Sequence, residues 1–150
     1  MSHEKPYVVK ASEWEAEPDD ISPGCTIASI VDGERQNLGL YFIPPGVQTN
    51  VFSIEDEDDG TAPEWYGPCD EIYYMLAGDE LTMYWGKDTD AIARGETDNL
   101  VLRPGDMAYW SRGWKYSVKN TGNAPATFLW GLTMPVEEVD RRDATTGISK

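Results

Sequence analysis

Glu71 heads the apolar run Glu71-Ile72-Tyr73-Tyr74-Met75-Leu76. An acid at the start of an inward-facing strand is costly to bury unless it is paired or used. Burial also raises a carboxyl pKa toward neutrality, where the group can work as a general acid or base. Side chains alternate across a strand, so Glu71, Tyr73 and Met75 share one face, with Ile72, Tyr74 and Leu76 on the other. The same parity sets Tyr116 with Val118. Cys69 lies two residues before Glu71 and can share its face. A nucleophilic thiol needs a neighbouring base or cation, and the single histidine, His3, sits near a terminus. Trp65, Tyr73, Trp110 and Trp114 could stack on a ring, a sugar face or a cation, or could simply fill a barrel. Arg103 and Arg112 could grip a carboxylate with forked guanidinium geometry, or serve as ordinary surface charges.

Other chemistries are excluded by what the chain lacks. There is no GxxxxGK[ST] and no GxGxxG opening a helix. The acidic run Glu55 to Asp59 lacks the alternating order of a helix-flanked calcium loop and reads as a solvated loop. The formal charge of −15, from 27 acidic and 12 basic side chains, repels phosphate backbones and anionic headgroups, which argues against nucleic-acid and membrane partners. No run approaches the roughly 20 apolar residues of a membrane helix. The opening Met1-Ser2-His3-Glu4-Lys5 lacks the order of a secretion signal, so a cytoplasmic location is expected. Two cysteines, Cys25 and Cys69, make no disulfide framework and are expected as free thiols.

The elements that must position these side chains are short β-runs broken by turn residues. Tyr7 to Lys10 is a possible first strand, followed by a polar segment to Asp20. Cys25 to Val31 ends at Asp32-Gly33, a hairpin signal. Asn37 to Ile43 stops at Pro44-Pro45-Gly46, and Thr49 to Ile54 follows. Glu71 to Leu76 ends at Gly78-Asp79, and Leu81 to Trp85 at Gly86. A polar loop over 87–98 leads to Leu100 to Arg103. Pro104-Gly105-Asp106 turns the chain into Met107 to Trp110. Tyr116 to Lys119 and Ala126 to Met134 complete the set, and a short helix is expected over about Val136 to Asp143. Strands at this spacing predict an all-β sandwich or closed barrel. We divide the chain into an N-terminal strand and polar arm (1–20), a barrel (21–135) and a tail (136–150).

Two segments carry a family resemblance. Glu71 through Gly78 places six residues between a glutamate and a glycine. Gly105-Asp106, Ser111, Gly113, Tyr116 and Asn120 fall in register with the pattern GDxxxxPxGxxHxxxN, with serine for proline and tyrosine for histidine. Together they resemble the first and second motifs of the cupin superfamily. The resemblance implies a jelly-roll β-barrel around a small molecule, and a homodimer, since a partner commonly covers the edge strands of this fold.

In metal-binding cupins the first motif supplies HxH before the glutamate. Here those positions are Glu64 and Tyr66, so the family's four ligand positions fall on Glu64, Tyr66, Glu71 and Tyr116. Carboxylate and phenolate are hard donors, and if a metal binds there, iron or manganese is implied. Without a metal, Glu71 would do acid–base work while Tyr66 and Tyr116 orient or polarise the substrate. Glu64, Trp65, Tyr73, Met75, Trp110 and Trp114 would then line its binding site. The leading expectation is a metal-free enzyme of lyase, isomerase or cyclase type. A non-catalytic ligand-binding or regulatory barrel, and a metal-dependent cupin with oxygen ligands, stand beside it.

Overall fold

The computed structural model describes residues 4–53 and 69–133. Among these residues ten strands form two antiparallel sheets. They are β1 (Glu17–Pro18), β2 (Thr26–Asp32), β3 (Gln36–Ile43), β4 (Phe52–Ser53), β5 (Asp70–Ala77), β6 (Leu81–Gly86), β7 (Asp98–Leu102), β8 (Met107–Trp110), β9 (Lys115–Asn120) and β10 (Ala126–Thr133). One sheet runs β1-β2-β3-β10-β5-β8 and the other β4-β9-β6-β7. Strands distant in sequence thus become neighbours, as in a jelly roll. Alternation dictates the packing. On β3, Asn37, Gly39, Tyr41 and Ile43 are buried, while the residues between them are only partly covered. On β5 the buried set is Glu71, Tyr73 and Met75, the face predicted from parity.

Inward residues of both sheets form one core, including Tyr73, Met75, Met83, Trp110, Tyr116, Val118 and Phe128. The outward face of the larger sheet is apolar as well. Leu40, Leu129, Tyr74 and Met107 stand side by side across β3, β10, β5 and β8. Met107 and Tyr109 on the edge strand are each 62% exposed.

The Gly105-Asp106 turn is sewn directly to the first motif. The Met75 amide donates to the Asp106 carbonyl at 3.0 Å, and the Gly105 amide to the Met75 carbonyl at 2.9 Å. Gly105 has φ +94°, a conformation that glycine adopts without steric cost. Asn120 closes the following turn. Its Nδ2 donates to the carbonyls of Ile43 and Ala124, both at 2.9 Å, and its Oδ1 accepts from the Gly122 amide at 3.0 Å.

Three segments differ from expectation. Residues 7–10 join no ladder among the described residues; Val8 is 80% exposed, and β1 takes the place beside β2 instead. Between Thr49 and Ser53 only Phe52–Ser53 is strand, with a bridge from Gln48 to Lys119 just before it. The polar loop over 87–98 contains a five-residue helix, α1 (Thr89–Ala93), because Asp88 Oδ1 accepts from the amides of Asp90 and Ala91 and Ile92 anchors it in the core. One apolar anchor is too little periodicity to read in advance. The expected helix over Val136 to Asp143 and the acidic run Glu55 to Asp59 lie outside the described residues. Cys25 and Cys69 are not joined in a disulfide, and both are buried. No helix among the described residues is long and apolar enough to cross a membrane.

Candidate functional site

The inner face of the larger sheet brings Glu71 opposite Trp110 on β8 and Leu132 on β10. From the other sheet, the Tyr116 hydroxyl donates to Glu71 Oε1 at 2.8 Å in a fully buried hydrogen bond. Tyr73, two residues along β5, also hydrogen-bonds the carboxyl through its side chain. Glu71 is 5% exposed. Burial raises its pKa from 4.5 to about 7, and the hydrogen bonds from Tyr73 and Tyr116 partly offset that rise. Both tyrosines are held well above the ordinary phenol range, first by burial and then by the Glu71 charge. The carboxyl is therefore poised near neutrality while its two partners keep their protons.

Aromatic contacts fix this cluster. Trp110 stacks on Tyr116, and Tyr73 meets both rings edge-on, at centroid distances of 6.5 and 6.1 Å. The Trp110 Nε1 has no hydrogen-bond partner among the described residues. Its ring is held by the strand pairing of β8 with β5 and by its aromatic neighbours.

Beside the cluster lies a cavity of about 120 Å³. Glu71 and Tyr73 line one part of it, and Asp19, Ser22, Tyr41 and Asn50 another. Tyr41 donates to Asp19 Oδ2 at 2.6 Å, and the Ile21 amide donates to Oδ1 at 3.1 Å. Burial, then the bond to Asp19, holds the Tyr41 phenol above its usual range. Between the two polar parts, Tyr41 stacks on Phe128 at 5.2 Å, and Phe128 meets Tyr73 at 4.4 Å. Trp130 completes this wall, its ring seated over Gly39, where a Cβ would fall 2.6 Å from it.

The structure thus gathers Glu71, Tyr73, Tyr116 and Trp110 from the residues singled out in the sequence. Only Glu71 and Tyr73 among them line the cavity; Tyr116 and Trp110 stand behind the carboxyl. Met75 is fully buried core. Trp114 packs edge-on against Trp85 at 5.0 Å with the Lys87 ammonium 4.2 Å from its ring centroid, and does not line the cavity. Arg103 pairs with Glu80 at 2.9 Å. Glu64, Trp65 and Tyr66 lie outside the described residues. Asp19, Tyr41 and Phe128 were missed. Tyr41 and Phe128 sit at inward parity on β3 and β10, which was legible, but nothing in the sequence tied Asp19 to them.

Of the four ligand positions that the resemblance implies, Glu71 and Tyr116 are described, and they hydrogen-bond each other. No three His, Cys, Asp or Glu side chains converge among the described residues.

The sequence matches no protein-family model and no curated protein. Solved structures do resemble it. A predicted oxalate decarboxylase from Thermotoga maritima aligns with a TM-score of 0.64 and 21% identity, over 86% of this chain and 100% of that one. The polyketide cyclase RemF from Streptomyces resistomycificus gives 0.61 and 14%, over 87% and 81%. The cupin domain of Schizosaccharomyces pombe Cnp3 gives 0.57 and 14%, over 83% and 70%. At these identities the likeness speaks for the fold.

Proposed function

We propose that this chain, which has the fold of the cupin superfamily, is a small-molecule enzyme of lyase, isomerase or cyclase type that works by proton transfer at Glu71 without a His-ligated metal. The observation that carries this reading is the buried Tyr116–Glu71 hydrogen bond of 2.8 Å, made by a carboxyl that also faces a cavity. A carboxyl with a pKa of about 7 can accept a proton in one step and return it in the next near neutral pH. Glu71 would take the proton from a bound ligand. Tyr73, which shares the cavity wall and hydrogen-bonds the Glu71 carboxyl, would hold that carboxyl in place and favour its charged form. Tyr116 is a positioning residue, since it reaches the ligand only through Glu71.

A second reading is a non-catalytic ligand-binding barrel. It is favoured by the internal pairing of Glu71, whose carboxyl already receives two tyrosine hydroxyls. One experiment separates the two. Small molecules that raise the melting temperature are collected, then incubated with the wild type and with Glu71→Gln in deuterated water. The enzyme reading expects conversion, or deuterium incorporation, with the wild type and none with Glu71→Gln. Binding by both proteins with no change in the ligand supports the binding barrel. Turnover that survives in Glu71→Gln sinks the acid–base role.

A further inference from the structure

We infer that the cavity takes a small organic cation, an amine carrying a compact apolar body, rather than an anion or a neutral polyol. This rests on the reading of the cavity as a ligand pocket and adds the chemical class of its occupant. Two carboxyl groups line the cavity, Asp19 and Glu71, and no lysine, arginine or histidine does so among the described residues. Their described partners are neutral: the Tyr41 hydroxyl and Ile21 amide for Asp19, and tyrosine hydroxyls for Glu71. Neutral donors satisfy hydrogen-bonding capacity but do not cancel charge. A half-buried anion gains more from a cation than from a second dipole, because Coulomb attraction strengthens as the local dielectric falls.

The same contacts disfavour an anion. The phenolic protons that could have bound a ligand carboxylate or phosphate are committed to Asp19 and Glu71. Between the two acids run the rings of Tyr41, Phe128 and Tyr73, in contact at centroid distances of 5.2 and 4.4 Å, a wall that brings no positive charge to the cavity. Ile27, Phe52 and Leu132 supply an apolar lining, which suits a hydrocarbon body better than one that carries a hydroxyl on every carbon. A volume of about 120 Å³ is close to that of an engineered cavity of about 150 Å³ that holds one benzene. The ligand is correspondingly small.

The test uses three probes of one shape: cyclopentylammonium, cyclopentanol and cyclopentanecarboxylate. Each is titrated into the full chain in alkaline buffer at moderate salt, and binding is read from the NMR signals of Phe128 and Trp130. The expected order is ammonium about tenfold tighter than alcohol, a gap of about 1.4 kcal/mol, with no saturable shift from the carboxylate. Asp19→Asn or Glu71→Gln should weaken the ammonium several-fold and leave the alcohol unchanged. The exposed-acid control Asp98→Asn should leave both unchanged. Alcohol binding as tight as ammonium would overturn the cation inference and leave the ligand pocket standing, as would tightest binding by the carboxylate. If no probe shifts Phe128 or Trp130, the pocket and the inference fall together.

Discussion

Trp110 lies flat on Tyr116, with ring centroids 4.6 Å apart and planes 7° from parallel. The two residues belong to different sheets, so this stack joins the layers at the point where Tyr116 reaches Glu71. Removing it should cost both stability and geometry. Trp110→Ala is expected to lower unfolding free energy by about 3–5 kcal/mol, as for other large aromatic deletions in cores. Urea denaturation followed by circular dichroism measures the loss. A change below about 1 kcal/mol would mean that the stack does not hold the layers together.

Tyr116→Phe deletes one hydroxyl and keeps the stack. It leaves Glu71 Oε1 without its 2.8 Å donor, at a cost of about 1–3 kcal/mol for an unsatisfied buried group. Because that bond lowers the Glu71 pKa, its loss should push the pKa above about 7. Carbon-13 NMR of the Glu71 carboxyl against pH reads this directly. An unmoved midpoint would show that the hydroxyl is structural only.

Glu71 also makes stability depend on pH. Its folded-state pKa is raised, from 4.5 to about 7, so in the interval between them the folded chain holds a proton that the unfolded chain has released. Stability from this group is full below about pH 4.5 and falls as pH rises through about 7, by about 3 kcal/mol in total. Glu71→Gln cannot titrate. The difference in stability between wild type and Glu71→Gln should therefore shrink or reverse in favour of the variant between those pH values. Parallel curves across the range would contradict the buried-carboxyl assignment.

Gly39→Ala should be poorly tolerated, although Gly39 has no unusual backbone angle. An added Cβ would lie 1.9 Å from the Ala28 carbonyl oxygen and 2.6 Å from the Trp130 ring. A carbonyl cannot rotate away as a side chain can, so about 3 kcal/mol of overpacking strain is expected. The aromatic near-ultraviolet signal should change with it, as Trp130 is displaced from the cavity wall. A variant with wild-type melting temperature and spectrum would refute this.

The barrel was legible because its turns are built from residues with narrow uses. Gly105 needs a positive φ, and Asn120 needs three backbone partners at once, so both announce their geometry in the sequence. Parity along β5 likewise placed Glu71 and Tyr73 on one inward face before any contact was known. The far part of the cavity was not legible. Asp19 and Tyr41 are 22 residues apart and meet only because β1 folds back on β2, and β1 is a two-residue strand with no pattern to detect. The helix at Thr89–Ala93 escaped for a similar reason. Its signals are one capping aspartate and one buried isoleucine, too few to form a period.

Cys25 and Cys69 are both nearly inaccessible, at 2% and 0% exposure, and burial pushes the Cys25 thiol above its usual pKa. Alkylation of either one must wait for the backbone around it to open. One thiol sits near Asp19 and Tyr41, and the other sits just before the strand that bears Glu71. The chain thus carries two built-in clocks for its own breathing. Labelling rates read residue by residue by mass spectrometry would time openings on the two sides of the cavity separately, and a ligand seated between them should slow both.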